Sequence, residues 1–259
     1  MEEREVRYQI QGRAAVLTID RPRARNALSA AVLAQLGEGL TRAEADPQAR
    51  VIVLTGAGEK VFCAGGDLST LGGDGFLSGH QARRSYGELL LRLASAPKPT
   101  LARLNGHALA GGLGLVLACD LAVAADDVQL GTPEIDVGLF PMMLMALLQR
   151  HLGRKRALEL VVTGDRLPAS SALEWGLLNR VVPRAELDGA VAVLAEKVAG
   201  KSGAVLALGR KAFLTAEDLP LAPAVEFLAS QLSLNVLTDD AAEGVTAFLE
   251  KRPPAWKDR

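Results

Sequence analysis

Two glycine pairs and one glutamate are the residues of this chain whose types and spacing suggest chemistry. The pairs stand in "FCAGGDL" (62–68) and "LAGGLG" (109–114), and Glu134 stands in "GTPEIDVGLFP" (131–141). A glycine pair can leave a backbone N–H uncovered by any Cβ, and Gly111, opening a helix, would add the positive end of the helix dipole. Two such donors converging on one point form an oxyanion hole, which stabilises negative charge on a thioester or ester oxygen. Two ordinary turns would be written with the same residues. Glu134 is the carboxylate lying between apolar strands and an apolar helix. Desolvated there, it would be a base with a raised pKa beside the hole; in solvent it would be a loop acid or an acid at a helix N-terminus.

Other chemistries lack their residues. "TGAGEK" (55–60) has neither the spacing of a P-loop nor that of a dinucleotide fold. There is no GxSxG, no HExxH and no paired Cys or His at metal-ligand spacing, so no metal is expected. His80, His107 and His151 are scattered and read as structural. Cys63 and Cys119 sit among small apolar residues and read as buried free thiols in a reducing compartment. The 29 basic and 30 acidic residues are interspersed, which predicts no nucleic-acid or anionic-membrane partner. "MEEREVRYQIQGR" lacks the apolar core of a signal peptide, and no stretch of 18 apolar residues occurs, so the expectation is a cytoplasmic protein.

The elements that must position these turns alternate. "AAVLTI" (14–19), 50–56, 100–106, 121–125 and 128–131 read as buried strands, and 29–46 and 80–96 as helices. Ser29 is a plausible N-cap for a helix whose Val32, Leu33, Leu36 and Leu40 share one face. Each of the three stretches then falls in a turn after a strand, where α/β sheets gather ligands. The fold class is α/β with parallel pairing. From about 141 the pattern is helical: 141–151, 154–162, 169–175, 185–199, 202–215, 221–237 and 239–250. Leu187, Val191, Leu194 and Val198 form one apolar stripe and Val225, Leu228 and Leu232 another. Such stripes either fold back on the core or meet another subunit. The division expected is a core over 1–190 and a helical region over 191–259.

Together the three stretches resemble the crotonase, or enoyl-CoA hydratase/isomerase, superfamily. The likeness extends to "LTIDRPRARNALS" (17–29), "ALELVVTGDRLPASSALEWGLLNRVVP" (157–183) and "EGVTAFLEKRPPAW" (243–256), in the same order as in the family. It implies a ClpP/crotonase-like ββα spiral core with a C-terminal helical trimerisation region, assembled as a homotrimer or as two trimers stacked into a hexamer. It implies an acyl-CoA substrate, and no cofactor beyond the CoA moiety of that substrate. By the same resemblance the oxyanion donors fall on Gly66 and Gly111, and the catalytic acid/base on Glu134. Arg25 and Ala27 match the edge of the pantetheine channel. Ala64, Asp67 and Leu68 match the segment that lines the CoA channel and receives the adenine. Phe248 and Lys251 match positions that reach CoA across family oligomers, and the substrate pocket is expected at Gly112, Gly114, Pro133, Leu139 and Met142.

One position departs from the family pattern. Family hydratases hold and activate a water with two glutamates; the second is present as Glu134, and the first would stand at position 114, where this chain has Gly114. Water addition shares its work between two such groups, whereas a Δ3-to-Δ2 double-bond shift needs one carboxylate and an enolate site. "FPMMLMALLQR" (140–150) also replaces a glycine-rich family stretch, and Met142, Met143 and Met145 offer adaptable walls for an acyl chain or plain helix core. Single-glutamate isomerisation therefore fits better, although hydratase is the commoner family label. A CoA-binding relative with weak or no hydratase activity, or another enolate reaction such as thioester hydrolysis or decarboxylation, is compatible with the same residues. The places open to a second acid are the 70–85 loop, where Asp74 lies, and the C-terminal helices.

Overall fold

A computed structural model describes residues 4–67 and 75–259. The chain opens with a hairpin, β1 (Val6–Gln11) and β2 (Ala14–Ile19), followed by α1 (Ala30–Ala45). It then repeats a long strand, a corner, a short strand and a helical segment. The first round is β3 (Val51–Gly56), β4 (Val61–Cys63) and α2 (Gly75–Ala94). The second is β5 (Thr100–Leu104), β6 (His107–Leu109) and α3 (Gly111–Ala118). The third is β7 (Leu121–Ala125), β8 (Gln129–Gly131) and a 3-10 turn, Pro133–Val137. After these come α4 (Met142–His151), α5 (Arg154–Thr163), β9 (Arg166–Pro168), α6 (Ala169–Glu174), β10 (Arg180–Val182) and α7 (Leu187–Ala199), and then α8 (Gly203–Glu217), α9 (Leu221–Asn235) and α10 (Asp239–Leu249).

The long strands, with the three-residue β10 at one edge, form a sheet in the order β1-β2-β3-β5-β7-β10, parallel except for the β1–β2 hairpin. β3, "VIVLTG", is buried along its whole length, as expected of a parallel strand covered on both faces. The short strands form a second sheet, β4-β6-β8-β9, in which only β9 is antiparallel. This is the ββα spiral expected. The Ser29 side chain accepts from the Val32 N–H at 3.1 Å and caps α1, whose Val32, Leu36 and Leu40 are buried. α2 begins at Gly75, earlier than periodicity predicts, because Phe76 and Leu77 in its first turn are exposed and contribute no buried stripe.

The corners between the two sheets are held by buried amides. Asn105 Oδ1 accepts from the Gly56 N–H at 3.0 Å and from the Thr55 hydroxyl at 3.2 Å, while its Nδ2 donates to the Gly58 carbonyl at 2.7 Å. Asn26 Nδ2 donates to the carbonyls of Ala57 (3.0 Å) and Val61 (2.7 Å), and its Oδ1 accepts from the Arg21 N–H (3.0 Å). A Cβ on Gly106 would run into the Lys60–Val61 peptide, so the chain passes there without one.

The two apolar stripes have different fates. Leu187, Val191 and Leu194 of α7 are buried against the large sheet, so this helix folds back on the core although it crosses residue 190. Val225, Leu228 and Leu232 of α9 are exposed in the single chain. Both cysteines are buried and unpaired. Among the described residues no helix is long and apolar enough to cross a membrane.

Removing the Asn105 amide would strand the buried Gly56 N–H, at about 1–3 kcal/mol, and leave the exposed Gly58 carbonyl to solvent. Asn105→Ala should lower the urea midpoint by the equivalent of about 1–3 kcal/mol with an unchanged slope.

Candidate active site

The three chemically suggestive stretches leave three adjacent strands at the same end. β4, β6 and β8 run parallel, with Cys63 opposite Ala108 and Leu109 opposite Gly131. Beyond those positions lie Ala64–Asp67, Ala110–Gly111 and Thr132–Glu134. The sequence reading placed the first two turns after 50–56 and 100–106, strands of the large sheet; they follow β4 and β6 of the second sheet instead, whereas the third follows β8, the strand read over 128–131. Three residues per strand are too few for an alternation to be read.

The Gly66 N–H is left free by its own pairing. Leu28 and Gly66 form an isolated parallel bridge, in which the Leu28 N–H donates to the Gly65 carbonyl at 2.8 Å and the Asp67 N–H to the Leu28 carbonyl at 3.2 Å. Such a bridge turns the N–H of the middle residue to the opposite side, and among the described residues the Gly66 N–H has no partner. Gly65 has φ +93°, and a Cβ on it would lie 2.9 Å from the Gly111 nitrogen. The two glycine turns therefore touch. Gly111 is the first residue of α3, so its N–H is one of those a helix leaves unpaired. The residue before it, Ala110, takes φ +51° and ψ −128° without being glycine, an arrangement that costs about 1–3 kcal/mol and recurs at functional sites.

Glu134 rises from the 3-10 turn after β8. It is half-buried, its Oε2 has no hydrogen-bond partner among the described residues, and burial raises its pKa above the ordinary value. Tyr86, from α2, reaches the same place: its hydroxyl donates to the Gly111 carbonyl at 2.8 Å. Burial first, then the nearby Cys63 and Glu134, holds the phenol well above its ordinary pKa. Cys63 is itself pushed up to about 12 by burial, and its Sγ accepts from the Gly65 N–H at 3.4 Å. It is a neutral thiol within the turn.

The glycines expected to line the pocket have closer neighbours. A Cβ on Gly112 would run into the Cys63 carbonyl, and one on Gly114 into the Tyr86 hydroxyl. These two glycines thus admit β4 and α2 against α3. On α4 the residue beside position 114 is Leu144, 3.1 Å from a Cβ built there, whereas Met142 is 62% exposed. Pro133 is half-buried and Leu139 exposed.

Residues matched to CoA binding come together on two neighbouring segments. The Ala64 N–H donates to the Arg25 carbonyl at 3.1 Å, next to the Leu28–Gly66 bridge. Arg21, which sequence reasoning missed, ties this patch: it pairs with Glu5 at 2.6 Å and Asp67 at 3.1 Å and donates to the Ala27 carbonyl at 2.9 Å. Its position in "DRPRARNAL", five residues before Asn26, was the available signal. Phe248 is 82% exposed near the end of α10, which packs chiefly on α8, and Lys251 lies in the turn just after that helix. Leu68 and Asp74 lie outside the described residues. His107 is structural, its Nδ1 accepting from the Gln129 N–H at 3.0 Å.

Residues 9–259 match the family model described as enoyl-CoA hydratase/isomerase. The chain is 37% identical over 242 residues to the rat mitochondrial enoyl-CoA hydratase domain-containing protein 3, covering 93% of this chain and 80% of that protein. It is 35% identical over 252 residues to carnitinyl-CoA dehydratase of Escherichia coli, covering 94% of each. The crystal structure of an enoyl-CoA hydratase from Mycobacterium smegmatis superposes with a TM-score of 0.94 at 36% identity, covering 98% of this chain and 99% of that one.

Because burial raises the Glu134 pKa in the folded state, the protonated carboxyl is the form the fold favours. Stability from this group is present at low pH and lost as pH rises through the raised value. Glu134→Gln should therefore melt at a higher temperature than the parent at neutral pH, and the gap should close as the pH falls below the usual glutamate range. Thermal denaturation at several pH values measures it.

Proposed function

The chain belongs to the enoyl-CoA hydratase/isomerase family of acyl-CoA enzymes, and on that premise we propose that it moves a proton along an acyl chain through a thioester enolate. Gly66 and Gly111 supply the two N–H donors to the thioester oxygen and Glu134 is the acid/base. The observation that carries this reading is the Glu134 carboxylate: buried enough to raise its pKa, with an unpartnered oxygen, in a turn next to two touching glycine turns. The reaction it fits best is a Δ3-to-Δ2 shift. Glu134 takes a proton from Cα of a 3-enoyl-CoA, and the C–H electron pair delocalises onto the thioester oxygen. The same carboxyl then returns the proton at Cγ, leaving the double bond between Cα and Cβ. One group serves both steps, and the hole lowers the enolate between them.

The CoA moiety lies, in this reading, along Arg25, Ala27, Ala64, Asp67 and Leu68, with Phe248 and Lys251 contributed by a neighbouring copy. The exposed apolar residues of α9 and α10 support such self-association, as a trimer or stacked trimers. No cofactor besides the substrate's own CoA is required. A second reading, loss or addition of water at Cβ through the same enolate, is favoured by the relative named a carnitinyl-CoA dehydratase.

With 3-hexenoyl-CoA the protein should form the 2-enoyl product and exchange solvent deuterium into Cα. Glu134→Gln should lower kcat by about 10²–10⁴-fold with a smaller change in KM. Crotonyl-CoA should be hydrated slowly; fast hydration that is lost in Glu134→Gln selects the second reading. Tight acyl-CoA binding without Cα exchange would instead mark a binding protein.

A further inference from the structure

The space in front of Gly114 is occupied from another element. A Cβ added at 114 would meet the Tyr86 hydroxyl and stand 3.3 Å from the Tyr86 Cζ and 3.1 Å from the Leu144 Cβ. Tyr86 is buried on the same face of α2 as Leu89, Leu90 and Leu93, so it is seated by the core. Its single hydrogen goes to the Gly111 carbonyl. What remains is a neutral oxygen, near enough to Glu134 to feel its charge, that can accept a hydrogen bond and cannot release or take a proton near neutral pH.

This matters for a water beside Glu134. A buried water needs two to four polar partners and room for about one probe sphere. A carboxylate reaching in from position 114 would give it both a charge and a second anchor, and the phenol takes that room. On the reading that Glu134 is the acid/base, we propose that Tyr86 is a specificity-determining residue: by filling the space before Gly114 it keeps a second acid and its water out. Glu134 is thereby held to proton transfer along the acyl chain. The hydrogen bond to Gly111 also fastens α2 to the first turn of α3, next to the N–H that meets the thioester.

Four proteins test this: the parent, Gly114→Glu, Tyr86→Leu and the pair Tyr86→Ala with Gly114→Glu. For each, the ratio of crotonyl-CoA hydration to 3-hexenoyl-CoA isomerisation is measured, together with melting temperature and Cα deuterium exchange. Gly114→Glu alone should melt lower than the parent and gain no hydration, since its side chain collides with Tyr86. The pair should recover melting temperature and raise the hydration ratio by about 100-fold, the lower end of what a positioned acid or base contributes. Tyr86→Leu should raise the ratio by a smaller factor, and it decides the matter should the pair fail to fold. A parent that already hydrates fast, a hydration gain from Gly114→Glu alone, or an unchanged ratio when Tyr86 is removed would overturn the proposal. Failure of the underlying reading looks different: Cα exchange that survives Glu134→Gln refutes the base while leaving the ratios unexplained.

Discussion

A three-residue strand cannot fix its own register, and the site hangs on three of them. β4, β6 and β8 pair in parallel, which requires each to be delivered by a crossover. The large sheet makes that delivery possible by holding β3, β5 and β7 in the same order one layer away. Where the chain turns from one sheet to the other, the Asn105 and Asn26 amides satisfy backbone groups that neither ladder can reach. Remove that satisfaction and the short ladder loses its anchor, so the positions of Gly66, Gly111 and Glu134 are consequences of corner hydrogen bonding as much as of the residues themselves.

The same end of the short ladder collects the departures from good local structure. Ala110 has a positive φ, and among the described residues one Glu134 oxygen in a half-buried turn and the N–H groups of Gly66 and Gly111 have no partner. Each costs stability alone, and their clustering in one place is the pattern of a site that is preorganised rather than relaxed. Burial does two things to Glu134 at once. It makes the carboxylate a stronger base, and it destabilises the fold at neutral pH.

Much of this was legible in the residues. The long buried strands, the Ser29 cap and the apolar face of α1 follow from period and composition, because each spans enough residues for a pattern to show. The three site turns were legible as turns, and as a family likeness. Of the short strands only β8 was, as 128–131; β4, β6 and β9 were not, since three residues carry no periodicity, and neither was the seating of the turns on the second sheet. α7 and α9 show nearly the same apolar stripe, yet one is buried on the sheet and the other exposed in the single chain; a stripe states that a partner is needed without stating which. Tyr86 was invisible for a different reason. It reads as one more member of the core face with Leu89, Leu90 and Leu93, and only its polar end, an atom that must find a hydrogen-bond partner when buried, distinguishes it.

The glycines at the start of α3 show what a missing side chain does and does not say. In sequence, Gly112 reads as backbone exposed to a ligand and Gly114 as the empty place of a family glutamate. In the fold, Gly112 makes room for the Cys63 carbonyl and Gly114 for the Tyr86 hydroxyl, while the strained conformation at the helix entrance falls on Ala110. An absent Cβ is thus evidence of a close neighbour, and the neighbour's chemistry carries the meaning. At position 114 that neighbour is a phenol whose hydrogen is already bound, so the room a longer side chain would need is closed by a group that does not titrate near neutral pH.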